Sequence, residues 1–395
     1  MAPAALVSEE DTAPASLVQE FTAQQNANVF LRAFSFPTAQ LPVLSAEAKE
    51  LANQIVMMDE IGFVFQLMER EQKVASRLGD LEKWVVNHVV RRGVKQIQRT
   101  RELLGTYMGL SLVNGFGHRV LVTPKDPELL VSVIIYRVPP KTRAFRAARF
   151  RRNKKGDFVH VLRDTEYFEI ARQFGTPAEL LEYFTFRQDI LLAWDPASAG
   201  VTETALIGQY LLEDYTSQPD ERFEKVVPRR GAPMACEFSF VLDSLASIIA
   251  TQESDYADTD FYEILSELGR LERHELRAIK RQVQLALEAV RAERLELPYR
   301  LASARTGCGF LILAVNAEFH DRALEALTSL ARASKYELDL DRQVGIGMWR
   351  GAHFVDIEWT YLIGKNMPDH DLDLKLARSY PFRRSTEQRL LPVFT

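Results

Sequence analysis

The chain has 395 residues, 47% of them hydrophobic and 26% charged, with a formal net charge of −5. That composition is globular and excludes disorder over most of the length, and the slight acidity means any nucleic-acid surface must come from local clustering. Cys236 and Cys308 share no ligand spacing, which excludes a disulfide framework or a zinc site and fits a reducing compartment. No run of about 18 apolar residues reads as a membrane span. Met1 to Pro14 lacks the basic-then-apolar order of a signal peptide and reads as a flexible tail. The expected location is therefore the cytoplasm, with no membrane partner.

Residues 15–33 read as a helix with Leu17, Phe21 and Phe30 on its apolar side, ended by Pro37 and Pro42. Two apolar runs, 51–58 and 61–68, flank Asp59-Glu60 and read as a hairpin. A helical stripe follows over 81–107, through Trp84, Val85, His88, Val89, Val94, Ile97 and Leu104. Strands are expected at 119–123, 129–136 and 160–162. Thr176-Pro177-Ala178-Glu179 is a helix start, with Pro at the first helical position and an acid in the first turn. A boundary is expected near Trp194 to Thr204. Residues 261–295 read as one long charged helix stopped by Pro298. A buried-type strand (Gly307 to Val315), a helix (323–334) and strands at 343–349 and 353–362 close the chain. The fold class is α/β (α+β). A tail (1–14) precedes a mixed-sheet domain (15–195), a helical region (196–297) and a small α/β domain (298–395).

The hairpin carries the most specific chemistry. A turn centred on Asp59-Glu60 pairs Met58 with Ile61 and, counting back, Asn53 with Gln66. Opposed residues of an antiparallel pair share a face with Cβ atoms about 5 Å apart. Met68, two residues beyond Gln66, lies on that face too. Lys49-Glu50-Leu51-Ala52-Asn53 followed by Val64-Phe65-Gln66-Leu67-Met68 resembles the Glu-Leu-x-Asp and Phe-Gln-x-Lys motifs of restriction-endonuclease-like, PD-(D/E)xK nucleases. The Trp84 helix and the His160 strand followed by the Thr176 helix resemble neighbouring parts of the same proteins, so the resemblance covers residues 17–195. It implies a nuclease-like sheet core. It also implies a metal-dependent phosphodiester cleavage site, with a role in defence against foreign DNA in bacteria.

The motif positions are altered. Asn53 stands at the metal-binding Asp position and Met68 at the Lys position, and only Gln66 keeps a known variant. Asn is a weaker ligand for a hard cation than carboxylate, and a thioether does not suit Mg²⁺. Asn53 and Gln66 would thus hold metal weakly. An active site would need Mg²⁺ or Mn²⁺, and a degenerate one no cofactor. Glu20 on the first helix and Glu69 are candidate catalytic acids, with Asp59, Glu60, Arg70 and Lys73 as further substitutes.

Residues 137–155 hold nine cations and no acid: Arg137, Lys141, Arg143, Arg146, Arg149, Arg151, Arg152, Lys154 and Lys155, interleaved with Phe145 and Phe150. Clustered Lys/Arg with aromatics suits phosphate contact and base stacking, so this segment is the candidate DNA or RNA surface. No phosphate loop, nucleophile elbow or His pair at ligand spacing is present. The expectation is a nucleic-acid-binding protein on a nuclease-like fold, either a divergent metal-dependent endonuclease or an inactive one. The alternative is a non-enzymatic scaffold making protein contacts, with an oligomer or partner interface on the 261–295 helix.

Overall fold

Local capping sets the first elements. The computed structural model describes residues 15–43, 49–70, 78–123, 130–139, 148–153, 155–194, 201–227, 236–251, 260–352, 354–382 and 388–390. The expected tail 1–14 lies outside them. Ser16 and Gln19 form a capping box that starts helix α1 (Leu17–Asn26). The Asn28 side chain then accepts from the amides of Phe30 and Leu31 to start α2 (Val29–Phe34). The single helix expected over 15–33 is therefore two, because an Asn cap in mid-sequence offers the backbone an alternative partner.

Strands β1 (Ser35–Pro37), β2 (Gln54–Met58) and β3 (Ile61–Glu69) follow, with Asp59 at φ 49° in the tight turn. A continuous helical run, α3, joins Leu78–Trp84, a π-helical stretch Val85–Arg92 and Gly93–Leu104. Gly93 is where α3 lies closest to the sheet: a Cβ there would fall 2.8 Å from Ile134 Cδ1. A two-stranded ribbon, β4 (Leu110–Val113) with β5 (Arg119–Val122), precedes β6 (Val131–Arg137), β7 (Phe150–Arg152) and β8 (Phe158–Arg163). The six-stranded sheet runs β1-β2-β3-β6-β8-β7. Its central strands β3, β6 and β8 are parallel, while β1, β2 and β7 are antiparallel to their neighbours.

Helices α4 (Asp164–Gln173) and α5 (Pro177–Ala193) leave β8. Thr176 caps α5 with a Glu179 capping box and Pro177 at its start, as the sequence predicts. Then come α6 (Glu203–Leu211), α7 (Cys236–Thr251), α8 (Asp260–Gly269) and α9 (Arg273–Arg291). The one long helix expected over 261–295 is two. Leu271 is fully buried at the corner, and Glu272 opens a new capping box with Glu275. Apolar spacing continues on both sides of the break with no Pro between, so periodicity alone misses it. Gly269 admits a close approach there, since a Cβ would lie 2.6 Å from Met58 Sδ.

The second sheet, β12-β11-β10-β9-β13, is built from β9 (Tyr299–Ser303), β10 (Cys308–Ala314), β11 (Arg342–Arg350), β12 (Val355–Ile363) and β13 (Gln388–Leu390). Helix α10 (Ala323–Glu337) crosses between β10 and β11, which pair in parallel, and α11 (His370–Arg378) follows β12. The mixed α/β class is that of the sequence reading.

Two apolar layers flank the first sheet. Val64, Ile134, Tyr136 and Val161 face α3 on one side. Phe63, Phe65, Val133 and Ile135 face α1, α4 and α5 on the other, in a cluster that continues through α7, α8 and α9 to Phe310, Ile346 and Trp359. The apolar stripe of α9 is thus covered by this chain's own second sheet. The partner surface expected on 261–295 is already occupied, because burying that stripe internally removes far more apolar area from water than leaving it free.

Candidate functional site: the hairpin positions and a basic sheet edge

The hairpin register is the one the turn implies: Met58 pairs with Ile61 and Gln54 with Phe65. Asn53, one residue before the ladder, donates its amide to Phe65 O at 3.0 Å. Its Oδ1 accepts from Leu67 N at 2.8 Å. Gln66 is 4% exposed beneath α3. Its Nε2 donates to Leu67 O at 3.1 Å, and its buried Oε1 has no partner among the described residues. Met68 packs into the apolar layer on that side. Asn53 Oδ1, the natural ligand atom, is therefore already spent on the backbone of β3.

Glu20 and Glu69 are elsewhere. Side chains alternate along β3, so Glu69 faces α1 while Gln66 and Met68 face α3. Glu69 accepts from Leu17 N at 2.9 Å, and Glu20 pairs with Arg137 Nη2 at 2.6 Å. The five candidate catalytic residues do not converge; the sheet separates Asn53, Gln66 and Met68 from Glu20 and Glu69. The further substitutes are also committed. Asp59 and Glu60 pair with Arg270 at 2.7 and 3.6 Å. Arg70 lies 5.8 Å over the Trp84 ring, and Lys73 lies outside the described residues. Among the described residues, no group of three or more His, Cys, Asp or Glu is arranged to hold a metal ion.

What the sheet does gather at the carboxyl ends of β3, β6 and β8 is a cluster around Arg137. Glu20 from α1, Glu69 from β3 and Asp164 from α4 pair with its guanidinium at 2.6, 3.6 and 2.6 Å. Its Nη1 also donates to Ala15 O at 3.0 Å. A cation sits where the acids of a metal site would want one. The sequence alone does not single out Asp164, and it shows Arg137 only as part of the basic stretch. The partners are far apart along the chain, so no spacing signal links them.

The basic segment divides in the same way. Arg143, Arg146 and Lys154 lie outside the described residues, as do Lys141 and Phe145. Phe150 to Arg152 form the edge strand β7. Arg151 and Arg152 are exposed there, and Lys155 is exposed with a 3.3 Å ion pair to Glu102. Phe150 stacks on Phe158, with ring centroids 4.7 Å apart and planes 11° from parallel. Ala148 to Arg152 line a depression of about 450 Å³.

Arg149 departs from the phosphate-contact role. It turns inward, pairs with Glu203 at 2.6 Å and donates to Val201 O at 3.0 Å. Glu203, on α6, is the centre of a buried network. Arg187 of α5, fully buried, donates to it at 2.8 Å, and the Tyr183 hydroxyl donates to the same carboxylate. Arg187 Nη1 also meets His160 Nδ1 at 3.0 Å. Arginine can only donate, so that ring nitrogen accepts and His160 is neutral with its proton on Nε2. Burial, then the Arg187 charge, hold the His160 pKa well below its ordinary value. Burial pushes the Glu203 carboxyl up, but Arg187 and Arg149 pull it further down, to about 2. The network fastens β7 and β8 to α5 and α6, so the exposed edge rests on a rigid base.

No family model, curated protein or solved structure matches this chain.

Proposed function

We propose that this protein binds nucleic acid along the β7 edge and does not cleave it. The observation that carries this reading is the pair of exposed arginines, Arg151 and Arg152, on an edge strand beside a stacked aromatic pair and an open depression. Guanidinium groups contact phosphates through paired donors, and aromatic faces stack on unpaired bases. Single strands are therefore expected to bind at least as tightly as duplex.

The restriction-endonuclease-like core belongs to the same proposal. An antiparallel hairpin, a helical crossover and a parallel third strand support it. The altered motif argues against cleavage: no lysine stands at Met68, the Asn53 oxygen is occupied, and Glu20 and Glu69 neutralise Arg137 instead of meeting Gln66. The test uses fluorescence anisotropy with labelled single-stranded DNA, duplex DNA and RNA. Changing Arg151 and Arg152 together to Glu should weaken binding at least tenfold at low salt and flatten its salt dependence. Binding that survives the double change would remove the reading.

A further inference from the structure

Sheet edges present unpaired N–H and C=O groups, and proteins keep such edges short, charged or covered. The two large sheets have four edge strands. Three of them, β1, β7 and β13, are three residues long. The fourth, β12, runs nine residues, Val355–Ile363, and no described strand pairs with its outer side. It contains no Lys, Arg or Pro, the residues that most often block strand addition. Ile363 at its end is 73% exposed. Only Trp359 is fully within the core.

The charge pattern of β12 is what identifies its partner. Its two acids, Asp356 and Glu358, both lie in its first half. An antiparallel pairing of two copies centred on Ile357 would set Asp356 against Glu358, and one centred on Glu358 would set that residue against itself. Directly opposed like charges destabilise a strand pair. Centring on Trp359 avoids both and uses all nine residues. Asp356 then faces Leu362, Glu358 faces Thr360, Ile357 faces Tyr361, and exposed Ile363 is covered by Val355. The row Val355, Ile357 and Tyr361, which packs on the chain's main apolar cluster, meets its own copy on the same face. Of the registers that keep the acids apart, this one pairs the whole strand.

We infer that β12 is a homodimer interface, in which two copies join antiparallel about a two-fold axis at Trp359 and fuse their five-stranded sheets into one. Thr360 contacts Thr328 of α10 at 3.3 Å, which places α10 on one face of the strand. The α8 residue Glu267 lies 3.3 Å from the Tyr361 hydroxyl on the other face. Both faces are held, and among the described residues no strand pairs with the edge between them.

The experiment is sedimentation equilibrium of the full chain from about 1 to about 100 µM, with two variants at one position. Leu362→Asp places a second acid opposite Asp356 twice per dimer, and Leu362→Arg places a cation there. The expected result is a dimer whose dissociation constant rises roughly tenfold with Asp and falls severalfold with Arg. A monomer at the highest concentration overturns the inference, as does an equal response to both substitutions. Hydrogen exchange on the unaltered protein checks the same surface without relying on variants that must fold. Amides of 355–363 should gain protection as concentration rises through the dimerisation range, and unchanged protection there rules β12 out.

Discussion

The first sheet carries two arginine–carboxylate clusters of opposite balance. At the carboxyl ends of β3 and β6, one guanidinium, Arg137, meets three carboxylates. Between β8 and α6, one carboxylate, Glu203, meets two guanidiniums, Arg149 and Arg187. The first is partly open to water, with the Glu20 and Glu69 side chains 44% and 36% exposed. The second is closed, with Arg187 and Glu203 at 0% and 2%. The difference separates two properties that a nuclease site would combine. The candidate catalytic acids Glu20 and Glu69 end up in a cluster with an excess of negative charge, which repels a phosphate backbone. Exposed Arg151 and Arg152 stand on the β7 edge, and among the described residues no acid cluster there suits a metal.

Burial also ranks how much each cluster matters to the fold. The largest effect should come from breaking the closed one. Glu203→Gln removes the carboxylate that pairs with fully buried Arg187 and with Arg149, and should lower unfolding stability by about 3–5 kcal/mol, measured by urea denaturation. A loss under about 1 kcal/mol would mean that water or another acid reaches the network.

pH sharpens the same contrast. The unfolded chain protonates His160 near 6.5, while the folded network holds it neutral well below that value. Stability from this residue is therefore full above about 6.5 and falls as pH drops below it, by up to about 1.4 kcal/mol per pH unit. Glu203, held at about 2 against an ordinary 4.5, adds a further loss as pH falls from 4.5 toward 2. Glu182 runs the other way. Burial and the neighbouring Glu272 raise it to about 7, so its contribution is lost as pH rises from 4.5 through 7. Comparing wild type with His160→Gln isolates the histidine, and identical pH slopes for the two proteins would contradict a neutral buried ring.

The open cluster should matter less. Arg137→Ala should cost about 1 kcal/mol and loosen α1, whose first amide is held by Glu69. Hydrogen exchange confined to α1 and the end of β3 would report it. The smallest stability effect is expected on the β7 edge, where changing Arg151 and Arg152 should shift stability by no more than about 0.5 kcal/mol.

Much of the first sheet was legible. Asp59-Glu60 between two apolar runs fixed the hairpin, and strand alternation fixed its register to the residue. Thr176, Pro177 and Glu179 announced α5 through local chemistry. What stayed hidden depends on tertiary packing. Nothing near Glu20 says that α1 covers the face of β3 opposite Gln66. Arg149 reads like its exposed neighbours until Glu203, more than fifty residues on, draws it inward. Strand β7 is only three residues long and looks like a connector. The corner at 270–272 is set by a buried leucine and a Glu cap inside an unbroken helical pattern.

The most direct test joins binding to cleavage in one experiment. Purified protein would meet labelled single-stranded DNA, duplex DNA and RNA with Mg²⁺, with Mn²⁺ and with chelator, alongside the Arg151→Glu, Arg152→Glu double variant. Expected is binding that does not depend on the divalent cation and is lost in the variant, with every strand intact. Cation-dependent cutting abolished by Gln66→Ala would contradict it, as would binding that the double variant retains.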